Sequence, residues 1–332
     1  MPLSKLAGSN YATSYSKYYS IEQEVALFAD PILNVTGCAN ASSQVDCLRS
    51  VDPFVLANLP EPARYLVVDG TYLVTDQLEL TGNGLAAHVP VLMGFMRDDG
   101  ASFITYPSAN DTASSALLSN GFDLDSISTL NVFPEPTRND ATLNVFNTTS
   151  LISTDSGFRC LDEATAYSAV KHDVFERVCF YEFNRSYPLA VPSVIPSICE
   201  APITDEFPYG DPSMEYFKCH SGELYYSFGI LVYNGLPVRD QFDIPMSQFV
   251  LDSWTAFAKM GNPNPDVRFL EARGFVNTTR AVEASGAWKA VGGNDLTLEL
   301  MQYPPVQEGF GIYGGQEQCQ ALGFLIDYYE AE

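Results

Sequence analysis

The chain has 332 residues, 46% of them hydrophobic, so it is long enough to bury a sizeable core. Its formal net charge of −24 argues against nucleic acid as a partner, because few basic side chains are available to neutralise phosphates. No run of 18 apolar residues occurs, and we therefore expect no membrane span. The acidity itself is typical of a charged, solvated surface.

Strand patterns are clearest in the first third of the chain. The continuous apolar run over residues 89–95 is typical of a buried strand in a mostly parallel sheet. Further strands are predicted over residues 65–70 and 178–183, with a shorter strand-like piece at 296–298. The polar turn after residue 95 would then lie at the carboxyl end of a strand, where ligand chemistry occurs in open α/β sheets.

Helices are predicted in three places. They cover residues 21–29, ended by Asp30-Pro31; residues 158–171; and residues 247–260, capped by Ser247 and ended by Gly261. Residues 104–157 are predicted to form connecting helices and loops. Residues 187–213 contain six prolines and are predicted to form an extended loop.

Seven cysteines and six Asn-x-Ser/Thr sequons favour the secretory route. The sequon asparagines, each a predicted N-glycan site, are Asn34, Asn40, Asn110, Asn147, Asn184 and Asn277. Chance predicts about two or three such triplets in a chain of this composition. The amino terminus lacks the long apolar stretch of a signal peptide, so we expect a secreted or extracellular protein whose leader lies outside this chain.

One stretch combines the residue types of a proton-transfer site. Residues 217–229 run Phe-Lys-Cys-His-Ser-Gly-Glu-Leu-Tyr-Tyr-Ser-Phe-Gly, with one of only three histidines on a short glycine-containing loop. The stretch resembles the catalytic-histidine segment of the type-B carboxylesterase/lipase family, the cholinesterase-like branch of the α/β-hydrolases. The resemblance implies an α/β-hydrolase fold and makes His220 the general base for a serine nucleophile.

A second segment resembles the acid segment of the same family. Residues 94–100 run Gly-Phe-Met-Arg-Asp-Asp-Gly, and the family usually has Glu where this chain has Asp99. Asp99 precedes His220, which is the chain order in α/β-hydrolases. The resemblance thus implies that Asp99 orients His220. Asp98 is the rival, since a shift of one residue exchanges the two, and a solvated turn is the alternative without a catalytic role.

The cysteines suggest three disulfides. The expected pairs are Cys38–Cys47, Cys199–Cys219 and Cys160–Cys319, which leaves Cys179 as a buried free thiol. The first pair closes a polar stretch that ends Cys-Leu-Arg-Ser and that again resembles the family. The second pair flanks the proline-rich loop and would hold the segment that carries His220.

The family nucleophile, a serine in a Gly-x-Ser-x-Gly turn, is absent from residues 1–332. Residues 100–104, Gly-Ala-Ser-Phe-Ile, lack the second glycine and follow the acid. We therefore expect residues 1–332 to form a single, partial α/β-hydrolase domain, the C-terminal portion of the family fold. The serine would lie in an N-terminal half outside this chain.

The remaining histidines and cysteines have simpler interpretations. Cys219 could act as a thiol nucleophile beside His220, but neighbours on an extended segment point apart. The three histidines show no metal-ligand spacing, so no metal is expected, and His88 and His172 are interpreted as structural. No organic cofactor is expected either.

These segments predict a serine carboxylesterase or lipase that acts on a small-molecule carboxylic ester through a Ser-Asp-His triad. Two other hypotheses stay open. One is a cholinesterase-like adhesion or binding domain that keeps the fold without the chemistry. The other is a catalytically inactive fragment, because the chain itself lacks the serine.

Overall fold

A computed structural model describes residues 18–59, 66–75, 79–84, 86–122, 129–188, 197–292, 295–309 and 315–330. The chain divides into two compact units, one over residues 8–78 and the other over residues 1–7 and 79–332. Tyr65 of a predicted strand and residues 189–196 of the predicted loop lie outside the described residues. The expectation of one domain over residues 1–332 stays a prediction.

The described part of the first unit is mostly helical. Its strands β1 (Tyr18–Ser20) and β2 (Leu66–Val68) pair in parallel. Its helices are α1 (Ile21–Glu24), α2 (Asp30–Val35), α3 (Gln44–Ser50) and α4 (Pro53–Ala57). Ser20 caps α1 in a capping box. Its hydroxyl accepts a hydrogen bond from the Gln23 N–H, and the Gln23 side-chain oxygen accepts one from the Ser20 N–H.

The predicted helix end at Asp30-Pro31 is wrong. A π-helical turn, Val25–Ala29, joins α1 to α2, and the Asp30 N–H bonds to the Val25 carbonyl five residues earlier. In a regular α-helix the proline ring would clash with the carbonyl four residues before it. The wider π-turn gives that ring room, so the chain stays helical to Val35.

The second unit is built on a four-stranded sheet. Its strands, in spatial order, are β3 (Pro90–Met96), β4 (Arg177–Phe183), β5 (Thr297–Met301) and β6 (Val306–Gly309). The first three are parallel and β6 is antiparallel to β5. The predicted strands over residues 89–95 and 178–183 are thus confirmed to within one residue.

Eight helices of the second unit lie within its described residues. They are α5 (Ala113–Ser119), α6 (Ala141–Thr154), α7 (Cys160–Lys171), α8 (Leu224–Ser227), α9 (Asp243–Met260), α10 (Val267–Arg273), α11 (Val276–Ser285) and α12 (Gly315–Ala321). A π-helical turn, Asp155–Arg159, joins α6 to α7. The helix predicted over residues 158–171 therefore begins as the continuation of a longer one.

Helix α9 begins earlier than predicted. Ser247 does not cap it but is buried inside it, because the helix starts at Asp243. Pro245 is tolerated there, since first-turn N–H groups have no intrahelical partner. The helix ends at Gly261 as predicted, with the glycine in the left-handed conformation at φ 65°.

The main core lies between the sheet and α9. Met246, Phe249 and Val250 of α9 pack in one buried cluster with Phe183 of β4 and Met301 of β5. The apolar stripe of α9 therefore covers one face of the sheet. This packing fixes the strands from which the site described below is built.

The structure contains the three expected disulfides, Cys38–Cys47, Cys199–Cys219 and Cys160–Cys319. Cys179 is a buried free thiol on β4, and burial raises its pKa to about 12. A thiol that stays protonated is a poor nucleophile. Within the described residues, no helix is both long and apolar enough to cross a membrane.

Candidate active site

The acid comes from the turn that follows β3. Asp99 is 4% exposed and opens a short 3₁₀ turn, Asp99–Phe103. Its Oδ2 accepts a hydrogen bond from the Met96 N–H at 2.9 Å, which fixes the carboxylate against the strand end. Because both oxygens of an ionised carboxylate accept, Oδ1 is left to face another donor.

Gly100 allows the turn that carries Asp99 to pack closely against α6. Its N–H donates to the Thr154 hydroxyl at 3.0 Å, and its carbonyl accepts from the Ser153 hydroxyl at 3.2 Å. A Cβ at this position would lie 2.3 Å from the Thr154 backbone nitrogen. The turn therefore packs directly on the backbone of α6, which only a glycine permits.

The backbone that leads into His220 is anchored by two contacts. Ahead of it, the Lys218 N–H donates to Asp98 Oδ2 at 2.7 Å and the Lys218 carbonyl accepts from the Asp98 N–H at 3.2 Å. The Cys199–Cys219 disulfide fixes the adjacent residue. Ser221, which follows, has φ 66°, an uncommon conformation for a residue with a side chain.

His220 and Asp99 meet in the structure. Nδ1 of His220 lies 2.5 Å from Oδ1 of Asp99. Nε2 bonds to no described residue, and the imidazole side chain is 20% exposed. An imidazole held at Nδ1 by a carboxylate and open at Nε2 has the geometry of a general base with its orienting acid.

Two aromatic rings pack against the imidazole. The Phe103 ring lies 4.9 Å from the His220 ring in a T-shaped arrangement, and the Phe158 ring lies at 5.8 Å. Phe158 belongs to the π-helical turn Asp155–Arg159, and such turns are frequent at functional sites because they change the direction of a side chain. The two phenylalanine rings also stack on each other at 5.7 Å, so the imidazole packs against one aromatic cluster as well as being hydrogen-bonded.

Further carboxylates surround the pair. Glu223 lines the same small pocket as His220 and Asp99, and its Oε2 is buried without a partner in the described chain. Burial raises the pKa of Glu223 to about 7. Asp162 of α7 is also buried with an unpartnered oxygen, and burial, followed by the charge of Asp99, raises its pKa well above the usual range. Protonation relieves the repulsion between these groups.

Lys218 adds a buried amine beside the histidine loop. Its Nζ donates to the Tyr216 carbonyl at 2.7 Å and lies 3.5 Å from the centre of the Tyr216 ring. Burial, followed by the positive charge of Arg97, lowers the pKa of Lys218 to about 7. Sequence reasoning identified none of Glu223, Asp162, Lys218 and Phe158 as site residues, although Glu223 stands in the histidine segment itself.

The other candidates lie elsewhere. Asp98 contacts Arg97 and Lys218 rather than His220. Cys219 is in a disulfide and therefore offers no thiol. His88 contacts the Val174 carbonyl at 3.2 Å, and His172 contacts Glu330 at 3.3 Å. No group of three or more potential metal ligands is present among the described residues.

Comparison with known proteins gives the family of the chain. The model of the carboxylesterase family matches residues 12–310, most of the chain. The chain belongs to the carboxylesterase family. Membership implies an α/β-hydrolase fold, with which the mixed sheet and its helices agree, and it supports ester hydrolysis at the level of the family.

One curated relative is Lipase 4 of Diutina rugosa. It is 32% identical to this chain over 92 residues, a match that covers 22% of the chain and 16% of that lipase. The chain thus aligns with a small part of its relative. Carboxylesterase membership rests on the family match, and the lipase adds weaker support.

Proposed function

We propose that His220 and Asp99 are the general base and its orienting acid in the hydrolysis of a carboxylic ester. The observation that supports this most is the 2.5 Å contact between Nδ1 and Oδ1, with Asp99 Oδ2 held by a backbone N–H. In this arrangement Nδ1 carries a proton toward Asp99, and Nε2 is available to accept one. The carboxylate also balances the charge of the imidazolium that forms.

The nucleophile in this proposal is a serine outside residues 1–332, which contain no Gly-x-Ser-x-Gly turn. The serine oxygen attacks the ester carbonyl carbon while Nε2 of His220 takes the hydroxyl proton. The tetrahedral intermediate then collapses, the carbon–oxygen bond to the alcohol breaks, and Nε2 returns the proton to the leaving alkoxide. Water repeats these steps on the acyl-serine and releases the carboxylic acid.

We also propose that the protein is secreted and N-glycosylated. Three disulfides, one of them closing the histidine loop, suit an oxidising compartment. The exposed sequon asparagines, Asn34, Asn40 and Asn110, are compatible with the same route. The measurement is whether the protein appears in the medium of the cells that make it.

A second candidate is favoured by one observation, the missing pentapeptide. Residues 1–332 by themselves would then be an inactive fragment, or a binding domain that keeps the fold without the chemistry. The His220–Asp99 geometry favours the first proposal, because a domain that only binds partners needs no oriented imidazole.

Ester hydrolysis by the polypeptide as its natural source makes it tests the proposal. His220→Gln should lower kcat by roughly 10⁴-fold or more, because removal of the base disables the whole triad. His172→Gln is the matched control, since His172 is also partly exposed and also contacts a carboxylate. Equal activity of the two variants would show that His220 is not the base.

A further inference from the structure

We propose that the fold divides the six sequons into two classes and that N-glycans occupy one class only. The occupied sites are Asn34, Asn40 and Asn110, and the bare sites are Asn147, Asn184 and Asn277. This division requires the secretory route proposed above, but it does not depend on ester hydrolysis. It rests on the exposure and hydrogen bonding of each sequon.

Two sequons of the first unit are open to solvent. Asn34 is exposed near the end of α2, and its neighbour Val35 is 68% exposed. Asn40 is exposed within the Cys38–Cys47 loop, and its Ser42 is exposed as well. Neither asparagine amide bonds to another residue of the described chain. A glycan on either would displace only water.

Asn110 is the open sequon of the second unit. It is exposed in the turn that precedes α5, and its Thr112 is exposed too. Thr112 caps α5 by accepting the Ser115 N–H at 3.2 Å, a bond that leaves the asparagine amide uninvolved. The turn can therefore carry a glycan without loss of a structural contact.

Asn184 is sequestered. Its amide nitrogen donates to Gln302 Oε1 at 2.9 Å, and its amide oxygen accepts from Arg97 Nη1 at 3.3 Å. The next residue, Arg185, is buried, and Ser186 of the sequon is 1% exposed. A first sugar on Asn184 would have to displace Gln302 and would disturb the arginine that contacts Asp98 beside the candidate site.

Asn147 is half-buried in the middle of α6. The next residue, Thr148, is buried, and Thr149 of the sequon is 0% exposed. The Thr149 hydroxyl donates a hydrogen bond to the Val145 carbonyl at 3.1 Å. Most residues of α6 are buried. A glycan on Asn147 would therefore have to separate the helix from the packing around it.

Asn277 is half-buried in the first turn of α11. Its amide nitrogen donates to Gln248 Oε1 at 2.6 Å, a contact that links α11 to α9. Thr278 is 0% exposed and donates to Asp252 of α9. A glycan here would open the contact between the two helices.

Sequestered sequons stay bare because a buried glycan is incompatible with the folded state. A sugar carries several hydroxyl groups, and each one that is buried without a hydrogen-bond partner destabilises the fold. A folded protein is only marginally stable, so several such groups are enough to prevent folding. Chains glycosylated at a sequestered sequon are therefore depleted from the folded, secreted population.

Site-specific occupancy tests the division. The complete polypeptide is expressed in a eukaryotic host, and secreted and cell-retained protein are treated with peptide N-glycosidase F in heavy-oxygen water before peptide mass spectrometry. We expect heavy aspartate at residues 34, 40 and 110 of the secreted protein and unmodified asparagine at residues 147, 184 and 277. If no protein reaches the medium, the protease-resistant fraction of the cell extract is judged by the same criterion.

Heavy aspartate at residue 147, 184 or 277 in the folded protein would overturn the division, and so would unmodified asparagine at 34, 40 or 110. Matched variants add a second readout. Asn110→Gln should remove one glycan from the mass of the secreted protein, whereas Asn184→Gln should remove none. Since neither measurement uses an ester, both results are independent of the proposed catalytic role of His220.

Discussion

Two clusters of buried charge in the second unit are built in opposite ways. The first lies at the amino-terminal end of α9. There Asp243 accepts hydrogen bonds from Arg185 at 2.6 Å, from Arg239 at 2.9 Å and from the Tyr226 hydroxyl at 2.7 Å. Burial alone would raise the pKa of Asp243, but the two arginines hold it well below its usual range.

The second cluster surrounds His220, and its carboxylates lack matching cations. Glu223 and Asp162 each have a buried oxygen without a partner in the described chain, and burial raises the pKa of both. The contrast indicates that the α9 cluster stabilises the fold. The unpartnered carboxylates of the His220 cluster destabilise the fold, but they keep protonatable groups close together. Such an arrangement is typical of functional sites.

The largest expected effect tests the assignment of the acid. Asp99→Asn should lower kcat for ester hydrolysis by roughly 10⁴-fold, because an amide no longer holds the required tautomer of His220. Asp98→Asn is the matched control, since Asn keeps an oxygen that can accept the Lys218 N–H. Its kcat should stay within about tenfold of the wild type. If steady-state assays gave the same loss of kcat for both variants, the separate roles of Asp99 and Asp98 would be contradicted.

Breaking the α9 cluster should have the next largest effect. Asp243→Ala leaves two buried arginines without their shared partner and should lower the free energy of unfolding by about 3 to 5 kcal/mol in denaturant titrations. Arg268→Ala, which removes an exposed pair with Asp266 but keeps the Asp266 cap of α10, is the control and should leave the unfolding midpoint nearly unchanged. If both variants unfold at the same midpoint, the α9 cluster is not a stabilising one.

The disulfide of the histidine loop comes third. Replacing Cys199 and Cys219 by Ser frees a loop of 20 residues and should cost about 3 kcal/mol. Activity should fall as well, because His220 directly follows Cys219. The same replacement at Cys38 and Cys47, in the first unit, should lower stability but leave kcat unchanged. If only the replacement of Cys38 and Cys47 lowered kcat, our interpretation of the Cys199–Cys219 disulfide would be wrong.

The smallest effect concerns the unpartnered carboxylate. The pKa of Glu223 is raised in the folded state, so the folded state binds its proton more tightly, and Glu223 lowers stability as pH rises from about 4.5 to about 7. Glu223→Gln should remove that loss and raise the unfolding free energy at pH 8 by up to about 3 kcal/mol, with little change at pH 4. Unfolding titrations at the two pH values measure this, and a stability difference that is independent of pH would contradict it.

Local sequence was sufficient for the parts of the fold that depend on local patterns. The apolar run of β3 and the left-handed glycine that ends α9 are visible in the chain itself. The continuation of α1 through Pro31 was missed, because it depends on a π-helical turn that residue propensities do not indicate. The earlier start of α9 was missed because two partners of Asp243, Arg185 and Tyr226, lie 58 and 17 residues earlier in the chain.

The residues of the candidate site also differ in how far local sequence indicates them. His220 and Asp99 stand in segments whose residue order is informative, and the structure brings the two side chains together. Asp162 was missed because it is 63 positions from Asp99, and its burial next to the pair follows only from the packing of α7. An acidic residue within an alanine-rich helix was the one signal available in the sequence.

A covalent serine probe tests the central claim most directly. The polypeptide from its natural source and residues 1–332 alone would each be treated with a fluorophosphonate, and the adduct located by peptide mass spectrometry. We predict an adduct on a serine outside residues 1–332 in the natural polypeptide, and none on the isolated chain. An adduct on any residue within 1–332 would show that this chain carries its own nucleophile and would contradict the proposal.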